Sequence, residues 1–224
     1  PVGSSPETLG DIDGVLYFVA YDETAGKKAL WRSDGTAAGT FMVKDVCPFP
    51  YGGGQCPFNP IGLPAEVVND VLYFPATDGV HGSELWRSDG TAEGTVMVKD
   101  ILTGANSGNP AGLTDVNGTL FFAANDGVHG IELWKSDGTE AGTVIVKDND
   151  SSSSSSPFEL TDVNGTLFFV TYSSGYDREL WKSDGTEAGT VLVKQINTSN
   201  YPNEISSLIN VNGTLFFTAW DDVH

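Results

Sequence analysis

The chain has 224 residues, 39% of them hydrophobic and 11% aromatic, which suits a folded domain with a sizeable core and argues against general disorder. Lys and Arg number 11 against 30 Asp and Glu, and the resulting charge of −19 repels phosphate backbones, so no nucleic-acid partner is expected. The longest apolar runs are a few residues, far short of the roughly 20 that cross a bilayer as a helix, and no membrane insertion is expected.

The N-terminal stretch Pro1-Val2-Gly3-Ser4-Ser5-Pro6 has neither a basic start nor an apolar run, so no signal peptide is visible; a mature secreted chain has the same look. The first aromatic runs follow, Leu16-Tyr17-Phe18 and then Leu30-Trp31, the second leading into Asp34-Gly35-Thr36. Next, Cys47 and Cys56 bracket a Pro- and Gly-rich stretch whose turns let its ends meet. A disulfide between them is expected in an oxidising compartment, with two free thiols as the alternative; two ligands are too few for a zinc site.

From here the same words return. Leu-aromatic-Phe triplets begin at Leu16, Leu72, Leu120, Leu167 and Leu215, at intervals of 56, 48, 47 and 48 residues. Leu-Trp pairs begin at Leu30, Leu85, Leu133 and Leu180, and the cysteine stretch accounts for the longer first interval. The third copy is the easiest to parse. Gly112–Val116, Thr119–Ala124, Ile131–Lys135 and Thr143–Lys147 are short runs of β-branched and aromatic residues, each stopped by Asn-Gly or Asp-Gly. Such residues supply the positive backbone angles of tight hairpins, so the period encodes four antiparallel strands. A period in the high forties built this way is a propeller blade, and a blade apolar on both faces must be covered by neighbouring blades.

The expected fold is therefore all-β: a β-propeller of four-stranded antiparallel blades, five-bladed with an incomplete last blade, or alternatively part of a larger propeller. One domain, 1–224, is expected, with approximate repeats 1–55, 56–107, 108–154, 155–202 and the half repeat 203–224. The four repeated tryptophans have two readings, blade packing or sugar stacking, and packing is the simpler. Asp34, Asp89, Asp137 and Asp184 likewise serve as turn formers or as calcium ligands, and each precedes Gly as turn chemistry requires. No cofactor is expected, with calcium the one ion the acidic turns suit.

Glu84–Thr95, Glu132–Thr143 and Glu179–Thr190 read Glu-Leu-Trp-x-x-Asp-Gly-Thr-x-x-Gly-Thr, and the first copy departs only by Ala29 in place of Glu. On these residues the chain resembles the bacterial ELWxxDGTxxGT repeat family, found in large secreted or surface-exposed proteins expected to form β-propellers. The resemblance spans nearly the whole chain and implies an extracellular or cell-surface setting; it implies no reaction.

In such blades the first and third bends emerge at one end and the second bends and connections at the other. The near-identical Asn-Gly and Asp-Gly-Thr bends thus share one end, and everything variable falls on the second. There sit the cysteine stretch, the serine tract Ser151–Ser156, read as a flexible connection, and the histidines. His81, His129 and His224 occupy one repeat position, each shortly after Asp78, Asp126 or Asp222. These six residues are the candidate ligand-binding set, for a metal or a glycan, beside the plainer reading of repeat inheritance. Three Asn-Gly-Thr sequons, at Asn117, Asn164 and Asn212, are explained by their hairpins.

No nucleophile elbow, His-Glu-x-x-His helix or phosphate-cradling glycine loop is present, and Tyr176-Asp177-Arg178 is the one pattern-breaking polar set. The sequence thus leads to a non-enzymatic structural or adhesive module that binds protein or glycan at the variable end or assembles with copies of itself through unpaired strand edges. A carbohydrate-binding lectin and a polysaccharide-active enzyme are the alternatives.

Overall fold

The computed structural model describes residues 6–22, 27–46, 65–148, 154–172, 178–195 and 205–220. These residues form β-strands and turns, with no helix among them. The first sheet contains β1 (Glu7–Ile12), β2 (Val15–Asp22), β3 (Lys27–Ser33) and β4 (Phe41–Lys44), and the second β5 (Glu66–Val68), β6 (Val71–Ala76), β7 (Glu84–Ser88) and β8 (Val96–Lys99). The third holds β9 (Ala111–Val116), β10 (Thr119–Asn125), β11 (Ile131–Ser136) and β12 (Val144–Lys147). The fourth holds β13 (Phe158–Val163), β14 (Thr166–Tyr172), β15 (Arg178–Ser183) and β16 (Val191–Gln195), and the fifth β17 (Ile205–Val211) and β18 (Thr214–Ala219). Strand order within each sheet follows the chain, and every pairing is antiparallel. The fold is a β-propeller of four-stranded blades whose fifth sheet has two strands among the described residues.

Local chemistry explains the strand ends. Each first bend places two successive residues at positive φ, as at Asn117 (52°) and Gly118 (79°), which is the tight turn whose twist matches that of the flanking strands. Asn and Gly tolerate that region where a β-branched residue does not. In all four complete blades the second-strand Phe faces the third-strand Trp: Phe18 with Trp31, Phe74 with Trp86, Phe122 with Trp134 and Phe169 with Trp181. A bulge falls between Leu and Trp in each third-to-fourth pairing, so the kink is copied along with the letters.

The chain divides into two compact units, Pro1–Pro110 with the first two sheets and Ala111–His224 with the other three. In the first unit Tyr17, Leu30 and Val43 of one blade pack with Leu72, Phe74 and Trp86 of the next. In the second, Phe121, Leu133 and Val146 pack with Leu167 and Phe169, and Val170 and Leu180 pack with Ile205 and Leu208. The middle strand β10 is buried continuously from Leu120 to Ala124, which means that both of its faces are covered. Each fully buried Leu or Phe here contributes roughly 1.5–3 kcal/mol. Trp86 and Trp134 are buried, and Trp86 packs against the first blade, so neither offers an open ring to a sugar. Cys47 and Cys56 lie outside the described residues.

Candidate functional site

The Asp-Gly-Thr bends close on themselves. Asp89 Oδ1 accepts the Thr91 amide at 2.9 Å and the Thr91 hydroxyl at 2.7 Å, and the same pair of bonds recurs at Asp34, Asp137 and Asp184. The hydroxyl and amide of the threonine hold the Asp34, Asp89 and Asp184 carboxyls below their ordinary pKa. Turn chemistry accounts for these aspartates. Among the described residues no group of three or more acidic, His or Cys side chains is arranged to hold a metal ion.

The Asp-Gly-Val-His loops are built differently. Asp78 Oδ1 accepts the amides of Val80 and His81 at 2.9 and 2.8 Å, while its Oδ2 lies 2.7 Å from His81 Nδ1. Asp126 repeats this with Val128 and His129 at the same three distances. The structure thus brings Asp78 to His81 and Asp126 to His129 as two separate pairs, one in each compact unit; Asp222 and His224 lie outside the described residues. Burial alone would raise the two aspartates, but the loop amides and the imidazole outweigh it and hold both low. The aspartate hydrogen bond raises both histidines, aided by the negative field of Asp100 and Glu84 around His81 and of Asp148 and Glu132 around His129. Each aspartate fixes its imidazole through Nδ1; His81 Nε2 in turn lies 3.9 Å from Asp100 Oδ2. Such a ring can donate to an anionic or carbonyl group when protonated and accept from an N–H when neutral.

Behind these loops lies a feature that the sequence reading missed. Glu84, fully buried, accepts the Gly108 amide at 2.7 Å and the Ile101 amide at 2.9 Å, so it grips both ends of the segment leaving its blade. Glu132, also fully buried, accepts the Ser155 amide at 2.7 Å and the Ser155 hydroxyl at 2.5 Å. Ser154 Oγ in turn takes the Ile131 amide, and the Ser155 carbonyl takes the Tyr172 amide. The expectation of a flexible serine connection is therefore corrected for Ser154–Ser156, which is a pinned crossing. The loop glycines belong to the same fastening: a Cβ on Gly82 would fall 1.9 Å from the Asn106 carbonyl oxygen, so no other residue fits where the segment crosses. The signal was present in the text, since Glu precedes Leu-Trp in three copies, but its partners lie 17 to 24 residues away in stretches that vary. Tyr176 and Asp177 lie outside the described residues, while Arg178 donates to the Ile205 carbonyl and stacks over Phe158, a packing role.

No family model matches the chain, and no curated protein matches it. Solved structures do. Puromycin hydrolase, as an S511A mutant, aligns at 15% identity and a TM-score of 0.51, over 96% of this chain and 35% of its own. Oligopeptidase B from Leishmania major aligns at 14% and 0.54, over 96% and 32%, and a prolyl endopeptidase at 12% and 0.57, over 97% and 31%. The chain spans about a third of the length of these proteins. Other matches, at TM-scores below 0.4, include a GH43 glycoside hydrolase and an endo-arabinase from Bacteroides thetaiotaomicron. The expectation of a non-enzymatic structural or adhesive module is corrected to this extent: the solved structures named above with TM-scores over 0.5 are hydrolases, and none of them is an adhesive protein.

Proposed function

We propose that the chain is the β-propeller part of an extracellular hydrolytic protein acting on polypeptides, and that it contacts substrate while the bond-breaking groups lie elsewhere. The observation that carries this is the extent of the likeness: 96–97% of this chain aligns with about a third of puromycin hydrolase, oligopeptidase B and a prolyl endopeptidase, the share expected of one module within an enzyme. The substrate-facing groups are the imidazoles of His81 and His129, held through Nδ1 by Asp78 and Asp126. A protonated imidazole is one of the few cationic points on a chain of charge −19, and it suits the carboxylate or carbonyl of a peptide.

The test is a pair of measurements on the purified chain. A panel of fluorescent oligopeptides is titrated in at pH 6 and followed by anisotropy, and the same panel is incubated and examined for cleavage. Saturable binding that weakens in His81→Ala and His129→Ala, without cleavage, is the expected result. Absence of binding across the panel would sink substrate contact, and cleavage by the chain alone would show that it carries the chemistry itself.

A further inference from the structure

Asn followed by Gly is the pair of residues most open to attack by its own backbone. The Gly nitrogen, with no neighbouring Cβ to obstruct its approach, bonds to the Asn side-chain carbon Cγ. The bond from Cγ to the side-chain nitrogen breaks and ammonia leaves; water then opens the five-membered imide at either carbonyl and gives aspartate or isoaspartate. Asn117 and Asn164 are exposed to water and each precedes Gly in a first bend. Both reacting groups are nevertheless held. The Gly118 amide donates to Asp115 Oδ1 and the Gly165 amide to Asp162 Oδ1, each at 2.8 Å. To attack, the nitrogen must shed its proton and gather negative charge, and a carboxylate on that N–H opposes both. The side chains are tethered on the other side: Asn117 Nδ2 reaches the Gly165 carbonyl at 3.5 Å and Asn164 Nδ2 the Gly213 carbonyl at 3.4 Å. Each amide thus lies across the first bend of the following blade, where a Cβ on Gly165 or Gly213 would collide with it.

The repeat separates this role from turn building. In the second blade the bend is Asn69-Asp70, both at positive φ (50° and 61°), and Val67 stands where the other blades carry the acceptor. The same turn therefore forms without a carboxylate, and that blade has no Gly whose amide needs one. Where Gly returns, the acceptor returns: Asp11 Oδ1 takes the Gly14 amide at 3.3 Å beside Asp13, which cyclises in the same way with loss of water, and Asn210 Oδ1 takes the Gly213 amide at 2.9 Å. We propose that Asn117 and Asn164 are latent sites of isoaspartate formation, and that Asp115 and Asp162 are the residues that keep them shut. Conversion at either site replaces a donor with a carboxylate set against the Gly165 or Gly213 carbonyl, so two acceptors oppose each other where one blade meets the next.

The test incubates the whole chain at neutral pH and body temperature, as wild type and as Asp115→Asn, a change that copies the neutral acceptor found at Asn210. Samples taken over time are digested and read by mass spectrometry, with fragmentation that separates aspartate from isoaspartate. In the folded wild type Asn117 and Asn164 are expected to convert at least about tenfold more slowly than in the same chain unfolded in urea. Asp115→Asn is expected to speed Asn117 about tenfold and to leave Asn164, the internal standard, unchanged. Asp162→Asn carries the same test with the two asparagines exchanged, so a failure of one variant to fold does not remove it. Equal rates in the folded and unfolded wild type overturn the proposal. A slower Asn117 in Asp115→Asn does so too, because the carboxylate then serves as a base for the attack. So does equal acceleration of both asparagines in a variant whose circular dichroism is native, since the substitution then loosens the blades in general.

Discussion

A buried carboxylate and a half-exposed imidazole dominate the chemistry of single residues. Glu132 satisfies two donors of Ser155, so Glu132→Ala strands a buried amide and a buried hydroxyl. The expected loss is about 2–5 kcal/mol, read from the urea midpoint, with Glu132→Gln costing less because one acceptor survives. Glu84 titrates above its ordinary value because burial opposes its charge more than the amides of Gly108, Ile101 and Leu102 favour it. A group raised in the folded state contributes stability that is fully present below its unfolded pKa and is lost as pH rises through the folded value. Glu84 therefore weakens the fold as pH climbs out of the ordinary carboxylate range, while Asp78 and Asp126, held low, contribute above that range and fail only in stronger acid. His129 follows the raised rule at higher pH: its contribution is complete below about 6.5 and fades as pH rises through its elevated value. Asp126→Asn is expected to bring the His129 midpoint down in an NMR titration and to flatten the pH dependence of Tm above 6.5; an unmoved midpoint would contradict the pairing. Asp78 with His81 and Asp126 with His129 could be picked out in the sequence because only two residues lie between the partners. The glutamates could not, because a carboxylate in a strand gives no hint of which distant amides will reach it.

Among the elements, the third bend offers the same hydrogen bond in two settings. Ser33 Oγ lies 2.6 Å from Thr40 Oγ1 in an exposed bend, and Ser88 Oγ lies 2.7 Å from Thr95 Oγ1 in a buried one. Water replaces a lost partner in the first and cannot in the second. Ser88→Ala is thus expected to cost about 1–2 kcal/mol and Ser33→Ala less than about 0.5 kcal/mol, measured by chemical denaturation of both variants. Equal losses would mean that burial does not set the value of the bond. The bends and strands themselves could be read in advance, since Asn-Gly, Asp-Gly-Thr and alternating apolar runs act within a few residues of the backbone they shape. The serine tract misled for the opposite reason. Its composition suggests a loose linker, yet Ser154 and Ser155 are tied by residues 23 positions earlier.

For the whole molecule, a charge of −19 on 224 residues sets a self-repulsion that folding must overcome. Raising NaCl from about 20 mM to about 500 mM shortens the screening length from roughly 20 Å to roughly 4 Å. Tm in differential scanning calorimetry is expected to rise by about 2–5 °C over that range, and a flat or falling Tm would show that local ion pairs outweigh the net charge. The amino-acid sequence by itself determined the repeat, the four-strand grammar of each blade and the turns that close it, because these depend on backbone preferences and alternation over a few residues. Only the tertiary structure decided what each repeated side chain does. Glu84 and Glu132 stand in nearly identical words, and one takes the Gly108 and Ile101 amides while the other takes the Ser155 amide and hydroxyl. Burial and hydrogen-bond partnership belong to the neighbour that arrives from elsewhere in the chain, and no local pattern of residues records whether it does.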